Sequence, residues 1–320
     1  MVALDVDGTI LHFDGTVSPH VRRALDDVRD AGMSIVLATG RSLAALMPVA
    51  YDLGLTSGYA VCSNGAVTCE LDPGISAEEA AASQEAARRV RSAHRGPCHG
   101  APGSGPGAVR DIEPQPVAPR REGPRRDGPR RDGGWAGGGY RLLDVVTFDP
   151  GPAVRALAAE LPEALIAVED VGCGSRVSAP FPPDELAGEH VVVSLDELVA
   201  RPATRVVVRD PGSTREEFHD VVQRVGLHEV SYAVGWSAWL DLTPAGVSKA
   251  SALENVRQRL GVEPYATVAV GDGGNDIEML RWAARGVAMG HAIAAVHDAA
   301  DEVAATIDDD GLVPVLRSLL

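Results

Sequence analysis

Lysine is all but missing from this chain. Of 29 lysines and arginines only Lys249 is a lysine, and 45 acids bring the formal charge to −16. Phosphate backbones and anionic membrane surfaces repel so acidic a chain unless a local basic patch compensates, so neither nucleic acid nor a membrane is an expected partner. Paired cysteines are missing as well. Cys62, Cys69, Cys98 and Cys173 form no C-x-x-C pair, which excludes a disulfide scaffold and a zinc knuckle. His94, Cys98 and His99 sit in a Gly/Pro-rich stretch without a second ligand pair and read as incidental. No run approaches the ~20 apolar residues of a bilayer span, and the opening Met-Val-Ala-Leu-Asp has no basic n-region or cleavage site. The expectation is a cytoplasmic enzyme or binding protein. Its first strand opens at Met1 itself, which fits a slightly misplaced start site.

What is present points to two domains, since 320 residues at 45% hydrophobic content fill a core in each. Residues 1–72 alternate short apolar runs with amphipathic stretches, and the rhythm returns over 243–320. Together they read as two halves of one α/β domain with a helix-covered parallel sheet. Residues 140–242 between them read as an inserted α+β module, a β-α-β-β unit beginning at Leu142–Phe148 and repeated from Arg205. Such a module sits naturally as a lid. Residues 73–139 break the pattern: a helix is expected over 77–93, followed by a stretch (96–139) holding 12 of the 35 glycines and 8 of the 22 prolines. That composition cannot offset its ordering entropy, so disorder is expected from about Gly96 to Gly138. The insert reads as a tolerated loop extension, with an arginine-rich arm touching RNA or an acidic partner as the sharper alternative.

Four short stretches carry chemistry. Asp5-Val6-Asp7-Gly8-Thr9 ends the first strand, where side chains at i and i+2 share a face, so Asp5 and Asp7 are expected to project together past the carboxyl edge of the sheet. Carboxylates held this close repel, and a hard divalent cation with oxygen ligands, normally Mg²⁺, relieves them. Thr39-Gly40-Arg41 follows the second strand and offers a hydroxyl and backbone N–H groups as a cradle for phosphate oxygens. Ser248-Lys249 opens a helix and sets an ammonium beside a helix N-terminus. Gly271-Asp272-Gly273-Gly274-Asn275-Asp276 follows another buried strand and adds two carboxylates and an amide. Each alone reads as an ordinary turn, cap or surface charge. All four, in order, at strand ends or a helix start, are an improbable coincidence.

With LDVDGTI at 4–10, LATGRS at 37–42, SNGAV at 63–67, LDLTPAGVSKASAL at 240–253, VGDGGNDIEML at 270–280 and GVAMGHA at 286–292, the chain resembles the haloacid dehalogenase superfamily. The resemblance is to its Cof-type phosphatases, which carry a large α/β cap inserted in a Rossmann-like core. Residues 73–138 have no counterpart in these motifs. The resemblance implies Asp5 as nucleophile and Asp7 as general acid and base. It implies Mg²⁺ held by the Asp5 carboxylate, the Asp7 carbonyl and Asp272. Thr39, Gly40, Lys249 and Asn275 would hold phosphate oxygens, with the Val6 N–H as a lesser donor, and Asp276 would orient Lys249 or a metal-bound water. The substrate would be a small phosphoester, a sugar phosphate or a compound such as a flavin precursor, chosen by the cap. Trp236 and Trp239 are candidates to stack on it, although strand aromatics are more often core. A phosphomutase or other phosphotransferase, or a non-catalytic phosphometabolite-binding protein, is the alternative.

Overall fold

The computed structural model describes residues 1–92, 138–183, 185–227, 230–234 and 238–320. The stretch expected to be disordered, apart from Gly138, lies outside the described residues, as do His94, Cys98, His99 and Trp236. In the first part of the chain, β1 (Val2–Leu4), α1 (Pro19–Asp30), β2 (Ile35–Ala38), α2 (Leu43–Asp52) and β3 (Gly58–Cys62) alternate as expected. They are followed by β4 (Val67–Leu71), α3 (Ala77–Ser92) and β5 (Tyr140–Val145). A second group comprises α4 (Gly151–Glu160), β6 (Leu165–Asp170), β7 (Gly174–Val177), β8 (Glu189–Val192), α5 (Leu195–Leu198), β9 (Val206–Arg209), α6 (Arg215–Val225), β10 (Val230–Val234) and β11 (Trp239–Pro244). The chain then returns through α7 (Lys249–Leu260), β12 (Val268–Gly271), α8 (Ile277–Trp282), β13 (Arg285–Ala288), α9 (Ala294–His297), β14 (Glu302–Val303) and α10 (Leu312–Arg317).

The larger sheet has the order β14-β13-β12-β1-β2-β3-β4-β5, parallel from β14 to β3 and antiparallel at β4 and β5. Its inner strands are buried on both faces, as strands between two helical layers must be. Val2, Leu4, Leu37 and Val270 fill one core, while Ala3, Val36, Ala38 and Ala269 fill the other. From β1 the chain moves outward through β2 and β3, whereas β12 and β13 extend the opposite side. The order therefore reverses between β1 and β12, the crevice where open α/β sheets place their ligands. Among the described residues no helix is long and apolar enough to cross a membrane.

The smaller sheet runs β10-β11-β9-β6-β7-β8 and packs α4 and α6 on one face through Val154, Leu157, Phe218 and Val222. Here the structure departs from the sequence reading. The strand taken to open the inserted module is β5, and it pairs with β4 in the larger sheet, Val67 opposite Val145 and Leu71 opposite Tyr140. Buried Tyr140 belongs to that core too. Pairing with β5 covers a strand that would otherwise be an open edge. The apparent duplication is consequently incomplete: its second copy has a leading strand in the smaller sheet and its first copy does not. α3 is likewise no loose extension, since Ala80 on it and Ile75 just before it are buried in the larger core.

Candidate active site

Asp5, Thr39 and Asp272 each follow the carboxyl end of one of three adjacent strands, β1, β2 and β12. The fourth contributor comes from a helix start. Ser248 caps α7, its hydroxyl accepting from the Ser251 N–H, and this fixes the first helical residue, Lys249, against the sheet edge. Lys249 is fully buried. Its Nζ donates to Asp5 Oδ1 at 2.6 Å and to Asp276 Oδ1 at 2.6 Å. The other Asp276 oxygen accepts from the backbone N–H groups of Asp272 (3.0 Å) and Gly273 (2.9 Å), so one carboxylate ties the lysine to the loop that carries Asp272.

Carboxylate oxygens of Asp5, Asp272 and Asp276 lie within 4.8 Å of one another, all buried. Three carboxylates against one ammonium leave two negative charges unbalanced in a desolvated site. Burial, then the charge of Asp276, pushes Asp5 well above the usual carboxylate range, with Lys249 opposing the rise. The same two causes push Asp272 up to about 7. Burial by itself would depress Lys249, but Asp276 and Asp5 outweigh it and hold the ammonium above its ordinary value. A hard, oxygen-seeking divalent cation such as Mg²⁺ fits this donor set and this charge deficit. Gly8 keeps the place open: it sits at φ +80°, and a Cβ there would lie 2.3 Å from Asp272 Oδ2.

Asp7 follows a different course from the one its spacing predicts. β1 ends at Leu4, and the Asp7 carboxylate turns away to Arg41, whose Nε and Nη2 donate to its two oxygens at 2.7 and 2.5 Å. Asp5 and Asp7 both line the cavity, but only Asp5 joins the acidic triad. Thr39 is buried, and its hydroxyl accepts from the Arg41 N–H at 3.0 Å. Asn275 lines the same cavity and donates to Asn64 Oδ1 at 2.8 Å, while Gly40 packs against that amide. Val6 is fully buried beneath the loop, and its carbonyl accepts from the N–H groups of Ile10 and Leu11. Sequence reasoning gave no role to Arg41, Asn64 or His291, although all three stand inside the quoted motifs.

The cavity measures about 670 Å³, and the inserted module lines its opposite side. Arg205, just before β9, pairs with Asp241 on β11 at 2.7 Å, and Ser175, Glu185 and Trp239 complete that wall. Trp239 is half-buried, its ring edge-on to Phe181 with centroids 6.5 Å apart. Asp241 stands in the quoted 240–253 stretch without having been given a role, and no motif marked Arg205 or Glu185, because three separate segments bring these residues together.

Comparison with known proteins agrees with this architecture. The profile of the haloacid dehalogenase-like hydrolases matches residues 2–90 and 190–316, well over half of the chain. The match takes in most of α3, for which the motifs alone offered no counterpart. A putative phosphatase of Bacillus subtilis, YkrA, is 38% identical over 79 residues, 25% of this chain and 31% of the relative. The 5-amino-6-(5-phospho-D-ribitylamino)uracil phosphatase YitU of the same organism is 32% identical over 130 residues, 39% of this chain and 47% of the relative. The chain thus spans under half the length of these curated relatives. A solved sugar phosphatase of haloacid dehalogenase subclass IIB superposes with a TM-score of 0.68 at 21% identity, over 99% of this chain and 98% of the other. A haloacid dehalogenase-like hydrolase from B. subtilis gives 0.67 at 20%, over 100% and 99%. At these identities the structures speak for the fold, and the profile match for the family: the chain belongs to the haloacid dehalogenase-like hydrolases.

Proposed function

We propose that the protein is a Mg²⁺-dependent phosphatase of small phosphorylated metabolites, working through an aspartyl phosphate on Asp5. The observation that carries this reading is the buried lock of Lys249 between Asp5 and Asp276, set beside Asp272 in a cavity whose opposite side a second module lines. Asp5 attacks phosphorus and forms a new P–O bond while the bond to the leaving alkoxide breaks. Asp7 stands at the cavity in the Arg41 fork; entering the cycle as the carboxylic acid, with one oxygen released from Arg41, it gives its proton to that alkoxide, and the carboxylate so formed takes the proton of the water that cleaves the aspartyl phosphate. Thr39, the Gly40 backbone, Asn275 and Lys249 receive the phosphate oxygens, with the Val6 N–H as a lesser donor. Asp276 keeps Lys249 aimed. Asp5, the Asp7 carbonyl and Asp272 would hold Mg²⁺, which when bound would supply charge neutralisation for the transferring phosphoryl group. The module opposite closes over the leaving group and excludes water.

On the substrate side, Arg205 is already paired with Asp241 and Arg209 with Glu185, so that wall offers a half-buried indole and acceptor oxygens rather than a spare cation. A neutral, hydroxyl-bearing or ring-bearing leaving group suits it. The names of the two similar phosphatases, one of a sugar phosphate class and one of a ribityl-pyrimidine phosphate, fall within that range. A phosphate-release screen over sugar phosphates, ribityl phosphates and an aryl phosphate tests the reading. Release should require Mg²⁺ and stop on chelation. Isomerised sugar phosphate without free phosphate would make the protein a mutase, and no turnover of any phosphoester would make it a binding protein.

The pH dependence follows from Asp272. With its carboxyl at about 7 in the metal-free protein, below that pH Mg²⁺ has to displace its proton, and above it does not. Mg²⁺ affinity should therefore rise with pH through the region around 7, and because burial also raises Asp5, the other carboxylate ligand, the rise is not expected to stop there. The sign for stability is opposite. A carboxyl that binds its proton more tightly folded than unfolded costs stability as pH rises from the unfolded value near 4 toward 7. The metal-free melting temperature should fall over that range, and added Mg²⁺ should restore most at pH 8. Calorimetric Mg²⁺ titrations that come out flat from pH 5.5 to 8 would contradict this assignment.

A further inference from the structure

His291 stands in the turn after β13, four-fifths buried, and the mechanism above does not use it. Its Nδ1 accepts the backbone N–H of Ile307 at 3.3 Å. A nitrogen that accepts an N–H carries no proton of its own, so the ring's hydrogen resides on Nε2. That Nε2 is buried, makes no well-formed hydrogen bond, and lies 3.5 Å from Asp272 Oδ2, with the Gly8 backbone as the ring's other polar neighbour. The ring orientation is fixed from a second side by Phe13, edge-on with centroids 5.8 Å apart. On the far side of the same carboxylate the Thr9 hydroxyl lies 3.5 Å from Oδ1.

We infer that His291 is a positioning residue for the metal-binding carboxylate: as the Nε2–H tautomer it presents a donor 3.5 Å from Asp272 Oδ2, near enough to complete a hydrogen bond with a small shift, and biases that carboxylate toward the divalent cation. The tautomer also decides against the other obvious role. A direct metal ligand needs a bare Nε2, which would move the proton to Nδ1 and set it against the Ile307 N–H. Hydrogen-bond donors behind metal ligands typically govern affinity through orientation, and their loss weakens binding about 10- to 100-fold. The inference rests on Asp272 being a metal ligand, as the proposed function has it.

The test is Mg²⁺ titration calorimetry on the chelator-stripped protein, with His291→Leu and His291→Gln beside the unaltered chain. Leucine fills the space without a donor, while the glutamine amide reaches about where Nε2 stands. The expectation is a Kd for Mg²⁺ weakened at least roughly 10-fold by leucine and largely recovered by glutamine. Unchanged affinity in His291→Leu would overturn the inference. Equal weakening by leucine and glutamine would overturn it too, by showing that ring packing alone matters. So would a chain that binds Zn²⁺ in preference to Mg²⁺ and loses that preference in both variants, since this marks direct ligation. Asp272→Asn separates the two levels: if it still binds Mg²⁺ normally, the metal assignment itself fails, whatever His291 does.

Discussion

Asparagine at position 5 should reduce phosphate release by roughly 10⁴- to 10⁶-fold, the scale on which loss of a covalent nucleophile is felt. An amide oxygen is a poor nucleophile, and the substitution also deletes one of the three buried carboxylates beside the metal position. Stability should move the other way. Burial and Asp276 both oppose the ionised form of Asp5, so a neutral isostere relieves a desolvated charge in the metal-free protein. We expect a melting temperature without Mg²⁺ that is unchanged or higher, and a smaller rise when Mg²⁺ is added. Activity together with two thermal scans therefore separates lost chemistry from lost folding. A variant within about tenfold of the parent in Mg²⁺-dependent turnover would end the aspartyl-phosphate proposal, because no residual mechanism at this site matches that rate.

Much of this centre was legible in the sequence for a physical reason. In a parallel sheet each strand carries its loop to the same edge, so chemistry-bearing residues just after apolar runs converge whatever separates them along the chain. Asp5, Thr39 and Asp272 follow that rule, and Lys249 joins them through the Ser248 cap. Partnerships between side chains did not follow from it. Spacing put Asp7 beside Asp5, but the strand stops at Leu4 and a guanidinium 34 residues away takes the carboxylate instead. Asn64 and His291 received no role because their neighbours, Asn275 and Asp272, come beside them only in the assembled sheet. β5 failed differently. Its Leu-Leu-Asp-Val run suits either sheet, and only the exposed edge of β4 decides which it joins. The wall of Arg205, Asp241 and Glu185 is built by tertiary packing and left no periodic trace.

Arginine at position 249 should lower kcat/KM by at least about 10²- to 10³-fold, the cost of removing one well-placed donor from a developing charge. The substitution keeps the positive charge, so long-range electrostatics are nearly unchanged and the loss isolates geometry. The ammonium is a compact point charge whose contacts to Asp5 and Asp276 are both 2.6 Å, and its side chain is fully buried. A planar guanidinium is broader, and in a filled space it has to displace one carboxylate or push the start of α7 off the sheet, a strain of typically 1–3 kcal/mol. Lys249→Met provides the contrast. It removes the charge and leaves Asp5 and Asp276 facing each other buried and unpaired, a defect worth about 3–5 kcal/mol in comparable sites. Methionine should therefore lose more stability than arginine, while both lose activity. Thermal unfolding with and without Mg²⁺ and steady-state kinetics on one phosphoester order the three proteins. An arginine variant with near-normal turnover would reduce the chain's single lysine to an accident of composition, because the charge alone, at any geometry, would then suffice.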